Sequence, residues 1–310
     1  MAISNFVAPE NIVYNGKEAN EIMSKPIYES DLYGYGITYR PNVKGKEKLV
    51  MGEVSELFQE YTCAFTPNGE VALSEDYIEP FEMKINLEEC YDKFWKSFLA
   101  EETRRAYVGE NIPRTFFDWF FNDQLVKEMK KEYEDLFWNG DTTKEGVLKL
   151  GDGVVKKVKE SGKTKKIDGA VFDVNNILGQ IAAVAAQASD DVADEDYRIY
   201  INKGQMRILK TALGNEKLFD NQVWANFTKV DGKIFAYGIE VVPCGIEKNV
   251  ILMAPAKNLV LGYDLESDQT AFQILDMSKV TGDNSFRVIA MCNMAVGIVY
   301  PELICISTPV

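Results

Sequence analysis

RTFFDWFFNDQLVKEMKKEYEDLFWNGD, residues 114–141, carries the strongest helix signal in this chain. Pro113 suits a first helical turn, and Asn139-Gly140 suits an exit, so the spacing predicts a helix over 114–138. At about 1.5 Å per residue such a helix is about 37 Å long. Phe117, Phe121, Leu125, Met129, Tyr133 and Phe137 recur at a spacing of four. Four residues advance about 400°, so the stripe drifts about 40° per step around the axis. Phe116, Trp119, Phe120 and Val126 widen it further, and the apolar face changes side midway. A simple amphipathic helix keeps one face. This one is built to meet different partners at its two ends.

Upstream, residues 1–30 are polar, carry Pro9 and Pro26 and hold no period, which reads as an extended arm. From residue 31 the pattern turns to strand. Tyr33, Tyr35, Ile37 and Tyr39 alternate with Gly34, Gly36 and Thr38. The runs ELFQEYTCAF and EVALSEDYIEPFEMKI flank Pro67-Asn68-Gly69 and predict a hairpin. Glu53, Glu56, Glu60, Glu70, Glu75, Asp76, Glu79 and Glu82 line it, and Pro80 marks one strand as an edge. A long acidic ribbon of two strands is marginal alone and needs a surface to lean on.

Downstream, GVLKLGDGVVKKVKESGKTKKIDGA concentrates Lys156, Lys157, Lys159, Lys163, Lys165 and Lys166. A solvated hairpin or loop is the plainer reading, and a basic patch for a polyanion the alternative. VNNILGQIAAVAAQAS predicts a helix capped by Asp173, with a stripe of Ile177, Ile181, Val184, Ala185 and Ala188. YRIYIN at 197–202 reads as a strand, succeeded by a helix ending at Gly214 and then β-rich sequence. Short helices among mostly antiparallel strands make the class α+β.

Composition removes whole classes of function. The chain has 310 residues, 46% of them hydrophobic, with a formal charge of −14 and no histidine. The aliphatic and aromatic content supports a real core. The acidity disfavours general nucleic-acid or anionic-membrane binding. Without histidine there is no Ser-His-Asp or Cys-His nucleophile and no imidazole-ligated metal. Cys63, Cys90, Cys244, Cys292 and Cys305 are odd in number and lack C-x-x-C spacing, which reads as free thiols in a reducing compartment. No signal peptide or membrane span is indicated, so a soluble intracellular product is expected. No P-loop or dinucleotide glycine motif occurs, and Asp190, Asp191, Asp194, Glu195 and Asp196 lack EF-hand spacing. No enzyme, cofactor or metal is therefore expected.

The order of these features resembles the major capsid proteins of tailed phages, the Hong Kong 97 fold. Leu136-Phe137-Trp138-Asn139-Gly140-Asp141 is similar to the end of that family's long spine helix, and Gly146-Val147-Leu148 is similar to a motif soon after that end. Phe81-Glu-Met-Lys-Ile85 resembles the strand returning from the family's extended loop. Asn258-Leu-Val-Leu-Gly-Tyr-Asp264 resembles an axial-domain strand. Phe286-Arg287-Val288 and Gly297-Ile298-Val299 resemble the last peripheral strands.

The resemblance implies an N-terminal arm (1–30), an extended loop hairpin and its base (31–86), and a peripheral domain with the spine helix (87–150). An axial domain (151–270) and return strands (271–310) complete it. It implies a shell subunit that partners itself in hexamers and pentamers around double-stranded DNA without sequence-specific contacts. A separate scaffolding protein and a portal would be further partners, with assembly in the host bacterial cytoplasm and residence in the virion. Tyr61, Phe65, Pro67, Asn68 and Gly69 would be subunit contacts, and the helix stripe from Phe117 to Phe137 would be packing. The lysine cluster would face DNA or solvent. A cellular nanocompartment shell of the same fold is the alternative. A carboxylate-based hydrolase, a carbohydrate-binding protein or another virion component are readings from other classes.

Overall fold

A computed structural model describes residues 12–15, 31–55, 70–108, 119–190, 192–215, 227–264 and 271–309. The chain divides into two units. The first comprises 1–33, 81–134 and 263–294, and the second 34–80, 135–262 and 295–310.

In chain order the first half contains β1 (Ile12–Asn15), a 3-10 turn (Asp31–Tyr35), β2 (Thr38–Pro41), β3 (Glu47–Ser55), β4 (Glu70–Ile78) and β5 (Pro80–Cys90). Then come α1 (Tyr91–Val108), a π-helical segment (Phe120–Leu125) running into α2 (Val126–Asn139), a 3-10 segment (Gly146–Leu150) and α3 (Val154–Glu160). The second half holds β6 (Lys165–Gly169), α4 (Ile177–Ala185), β7 (Tyr197–Asn202) and α5 (Lys203–Asn215). It ends with the strands β8 (Phe227–Val230), β9 (Lys233–Ala236), β10 (Ile239–Cys244), β11 (Ile251–Pro255), β12 (Leu259–Asp264), β13 (Ala271–Asp276), β14 (Ser285–Ile298) and β15 (Cys305–Pro309).

In the first unit β13 lies between β1 and β14, and β5 also pairs with β14. Alternation along β13 and β14 turns Phe272, Ile274, Phe286, Val288, Ala290 and Cys292 inward. The long helix packs on that face. Phe121 meets Phe272 edge-on at 5.1 Å, and Phe120 meets Phe286 at 4.9 Å. Tyr133 donates its hydroxyl hydrogen to Cys292 Sγ at 3.1 Å, and burial pushes the Cys292 thiol up to about 11. α1 adds Phe98 against Trp119 and Phe94 against Phe120.

The second unit holds a seven-stranded sheet in the order β6-β15-β11-β7-β10-β9-β8. β15 and β6 run parallel, as do β7 and β10, and the other neighbours are antiparallel. The stripe Ile177, Ile181, Val184 of α4 and Leu209 of α5 packs on Ile199, Ile201, Ile251 and Met253. Each such side chain contributes about 1.5–3 kcal/mol of burial. Asp173 accepts from the N–H groups of Asn175 and Asn176, so it caps the turn ahead of α4.

Three readings change. Residues 31–35 form a 3-10 turn and strand begins only at Thr38. Leu32 and Tyr35, both buried, stand three apart, the 3-10 spacing, and Gly36 at φ 78° closes the turn. The run EVALSEDYIEPFEMKI is two strands, broken at Glu79 ahead of Pro80, where a ladder donor is missing. The lysine segment is not a hairpin or loop. It contains α3, whose Val154, Val155 and Val158 are buried at helical spacing, and then strand β6.

Candidate functional site

The ribbon is built from β3 and β4, in register from Glu47↔Ile78 through Gly52↔Leu73 to Ser55↔Glu70. Among the described residues it pairs with no third strand. Tyr61, Phe65, Pro67, Asn68 and Gly69 lie outside the described residues. The ribbon is held at its root. Leu49 and Ile78 are buried with Val43, Val260 and Ala295 in a small core of the second unit. Two glycines make that core possible. A Cβ on Gly262 would stand 3.0 Å from Ile78 Cδ1 and from Val43 Cγ2, and one on Gly297 3.0 Å from Leu49 Cδ1. Around the root Arg40 pairs with Glu47 at 3.2 Å, and the Lys46 ammonium lies 4.6 Å from the centre of the Tyr77 ring.

The helix stripe splits as its drift requires. Phe121, Met129 and Tyr133 serve the first unit, with Leu125 half-buried, whereas Phe137 is fully buried in the second with Leu136 and Trp138. Phe117 lies outside the described residues. The π-helical segment at Phe120–Leu125 re-phases the helix where the apolar face changes side, because its hydrogen bonds span one residue more per turn. Trp138 packs on Tyr200 at 5.0 Å, and Tyr200 donates to the Tyr35 carbonyl at 2.8 Å.

At the helix exit the side chain of Asn139 donates to the Gly245 carbonyl and accepts from the Glu247 N–H, both at 2.8 Å. These two hydrogen bonds tie the helix end to the loop between β10 and β11. Sequence reasoning missed them, since the partners lie over a hundred residues away. Gly140 marks the exit as expected, but for a different reason from a left-handed cap. Its backbone packs against that of Gly153, where an added Cβ would meet Gly140 N and Leu136 O at 2.7 Å.

Gly140 and Gly153 close the neck of the loop 141–152, and Lys156 seals it. Its ammonium lies 2.9 Å from both Asp141 Oδ1 and Asp152 Oδ1 and donates to Thr142 Oγ1. Hydrogen bonds from Thr143 and then Lys156 hold Asp141 well below the usual carboxylate range. Burial pulls Asp152 upward, but the Thr142 N–H and the Lys156 ammonium outweigh it and the net shift is down. Bonds to Asp141 and Asp152 raise Lys156.

The six lysines therefore do not form one patch of like character. Lys157 donates to the Val296 carbonyl at 2.5 Å, and burial lowers its pKa. Lys159 pairs with Glu247. Lys163, Lys165 and Lys166 are exposed, with Lys165 donating to the Gln187 carbonyl and Lys166 to that of Lys159. A shallow cavity of about 200 Å³ beside this cluster is lined by Asn139, Asp141, Thr143, Lys144, Lys159 and Glu247, among others. Its lysines and carboxylates pair with one another, and no nucleophile with an activating base stands in it. No described helix is long and apolar enough to cross a membrane.

No protein-family model matches the sequence, and no curated protein sequence matches it. Solved structures do match. A chain of the satellite phage P4 procapsid that includes the size determination protein is 11% identical with a TM-score of 0.65, covering 99% of this chain and 93% of that one. The capsid of cyanophage P-SCSP1u is 8% identical with a TM-score of 0.54, over 100% of this chain and 92% of the other. A virus-like particle from Pyrococcus furiosus is 12% identical with a TM-score of 0.50, over 94% and 98%. At such identities the likeness is one of fold, and it runs the length of each chain: this protein has the Hong Kong 97 fold.

Proposed function

We propose that this chain is the major capsid protein of a tailed phage, a structural subunit that assembles with itself into the hexamers and pentamers of an icosahedral head around double-stranded DNA. The observation that carries the reading is the end-to-end likeness in fold to the P4 procapsid chain. The ribbon supports it. Nine residues per strand stand on a small root with no third strand among the described residues, and an adjacent subunit supplies the missing surface. On this reading residues 56–69 are the distal part of the extended loop and carry its subunit contacts. The first unit corresponds to the peripheral domain and the seven-stranded sheet to the axial domain. Scaffolding protein and portal are further partners, and within the lysine cluster Lys163, Lys165 and Lys166 lie exposed toward DNA or solvent.

The test is the native assembly state, by size-exclusion chromatography with light scattering and negative-stain imaging. Closed particles, or stable pentamers and hexamers, are expected. A 35 kDa monomer that persists with scaffold and crowding agent overturns the reading.

The likeness to the Pyrococcus furiosus virus-like particle favours a second reading, a cellular shell enclosing an enzyme. The contents of particles purified from the native host separate the two, nucleic acid for the first and a protein cargo for the second.

A further inference from the structure

We infer that the outer face of the first unit's sheet, where β5 lies beside β14, is a docking site for an acidic segment of another protein. The fitting segment is extended and presents an acid, an aliphatic and a second acid at alternate residues. This goes beyond the shell reading and does not depend on it. The inward turn of Phe286, Val288, Ala290 and Cys292 leaves Arg287, Ile289 and Met291 on the opposite face. β5 pairs with β14, and a cavity of about 350 Å³ lies on the two strands, lined by Lys84, Asn86, Leu87, Glu88, Arg287 and Ile289, among others.

Its two cations are held in place but not used up. Arg287 donates from Nε to Glu88 Oε2 at 2.9 Å, and Ser285 Oγ donates to the other oxygen of Glu88 at 3.3 Å. Both terminal amino groups of the guanidinium are left without a partner among the described residues, and that fork suits a carboxylate taken through two hydrogen bonds. In the orientation that satisfies both ends of its amide, Asn86 accepts from Lys84 Nζ at 3.3 Å and donates to the Ile85 carbonyl at 3.1 Å. Lys84 is exposed and pairs with no carboxylate among the described residues. Lys84 and Glu88 stand four residues apart on one strand, about 13 Å, so the two cations mark opposite ends of the site. Ile289, half-buried, and Met291, 40% exposed, give the same face an aliphatic centre. An extended ligand chain sets its first, third and fifth side chains on one side over the same about 13 Å.

The composition of the face selects the occupant. A phosphate backbone is repelled by Glu82 and Glu88, both exposed on β5, and gains nothing from Ile289. A permanent contact with a second copy would bury a broader apolar surface. Here the side chains of Arg287 and Glu88 stay 45% and 48% exposed, so their attractions are screened by salt and suit a partner that binds and leaves.

The probe is a fluorescein-labelled peptide in which Glu-Ser-Leu-Ser is repeated and closed by Glu, titrated with the full-length protein and followed by anisotropy. Saturable binding is expected, weakening about tenfold as salt rises from about 0.05 M to about 0.5 M. Lys84→Gln and Arg287→Gln should each weaken it about tenfold with unchanged melting midpoints, and Arg287→Lys several-fold, because the charge stays and the fork is lost. Peptides with Gln for Glu, or Ser for Leu, should bind at least as poorly. No saturable binding, or equal binding by the Lys84→Gln, Arg287→Gln double variant, overturns the inference. So does a duplex DNA oligonucleotide that displaces the peptide, which would make the face a polyphosphate site. Light scattering of the double variant should match the parent, and a loss of self-association would give the face to a second copy and overturn the inference as well.

Discussion

At the scale of single residues, the positions that matter most are those where the backbone of one segment touches that of another. Gly153 is one such case, because its neighbours at 2.7–2.8 Å are backbone atoms of Leu136, Phe137 and Gly140, which have no rotamer to yield with. Gly153→Ala is expected to destabilise the second unit by about 1–3 kcal/mol through overpacking, seen as a lower melting midpoint in denaturant with an unchanged slope. Alanine at exposed Gly162, which meets nothing within 4 Å, should leave the midpoint within about 0.5 kcal/mol. The Lys156 clasp gives a pH signature. Asp141 lies below its unfolded value of 3.8, so the pair contributes stability above that pH and loses it as pH falls through the depressed value. Lys156→Gln should reduce stability near neutrality and flatten the acid limb below about pH 4, read from midpoints in urea across pH. A parallel downward shift at every pH would contradict this. The sequence marked Gly140 and the lysines, yet neither glycine's reason nor the carboxylates' choice of Lys156 was visible, since both depend on two segments meeting in space.

At the scale of elements, the drifting stripe of the long helix was legible from spacing alone, and so was its division of labour. The means by which the helix manages it was not. A π-helical turn leaves no residue signature in Phe120–Leu125, because it answers to packing at both ends. The consequence for substitution is graded. Phe137 is fully buried and Phe121 only half, so Phe137→Ala should cost about 3–5 kcal/mol and Phe121→Ala clearly less. Equal losses in denaturant melts would mean that the two ends of the stripe are equivalent. Phe121→Asp should still destabilise strongly by setting a charge against Phe272. The ribbon allows a cleaner dissection than its sequence alone permitted. Because its root rests on Leu49 and Ile78, an excision must spare them. Replacing residues 53–72 with Asn-Gly places a two-residue turn between Gly52 and Leu73, which already pair. That variant should melt like the parent and fail to assemble. Normal shells from it would remove the ribbon from the assembly mechanism. The α3 helix, by contrast, was masked by its own composition. Lysines and a glutamate among valines read as solvated loop until Val154, Val155 and Val158 are seen to be buried together.

At the scale of the molecule, the α+β class and the succession of elements could be read from periodicity, whereas the strand order could not. Sequence neighbours are often not sheet neighbours here, and β15 shows it most plainly, lying between β6 and β11. It is nearly buried from Cys305 through Ser307. Removing Cys305–Pro309 should therefore abolish cooperative unfolding of the second unit, detected as loss of the near-ultraviolet dichroism of its aromatic cluster. A retained cooperative melt would mean that β6 and β11 close the gap without it.

The place of β15 also has a temporal meaning. A ribosome makes β6, β7, β10 and β11 well before β15, so the sheet waits with a gap between β6 and β11 until the last of its strands has been synthesised. Half-made chains thus lack a finished second unit. That ordering works as a timer. It holds the sheet unfinished until residues 305–309 have been made, and a message broken before codon 305 yields a product exposed to degradation.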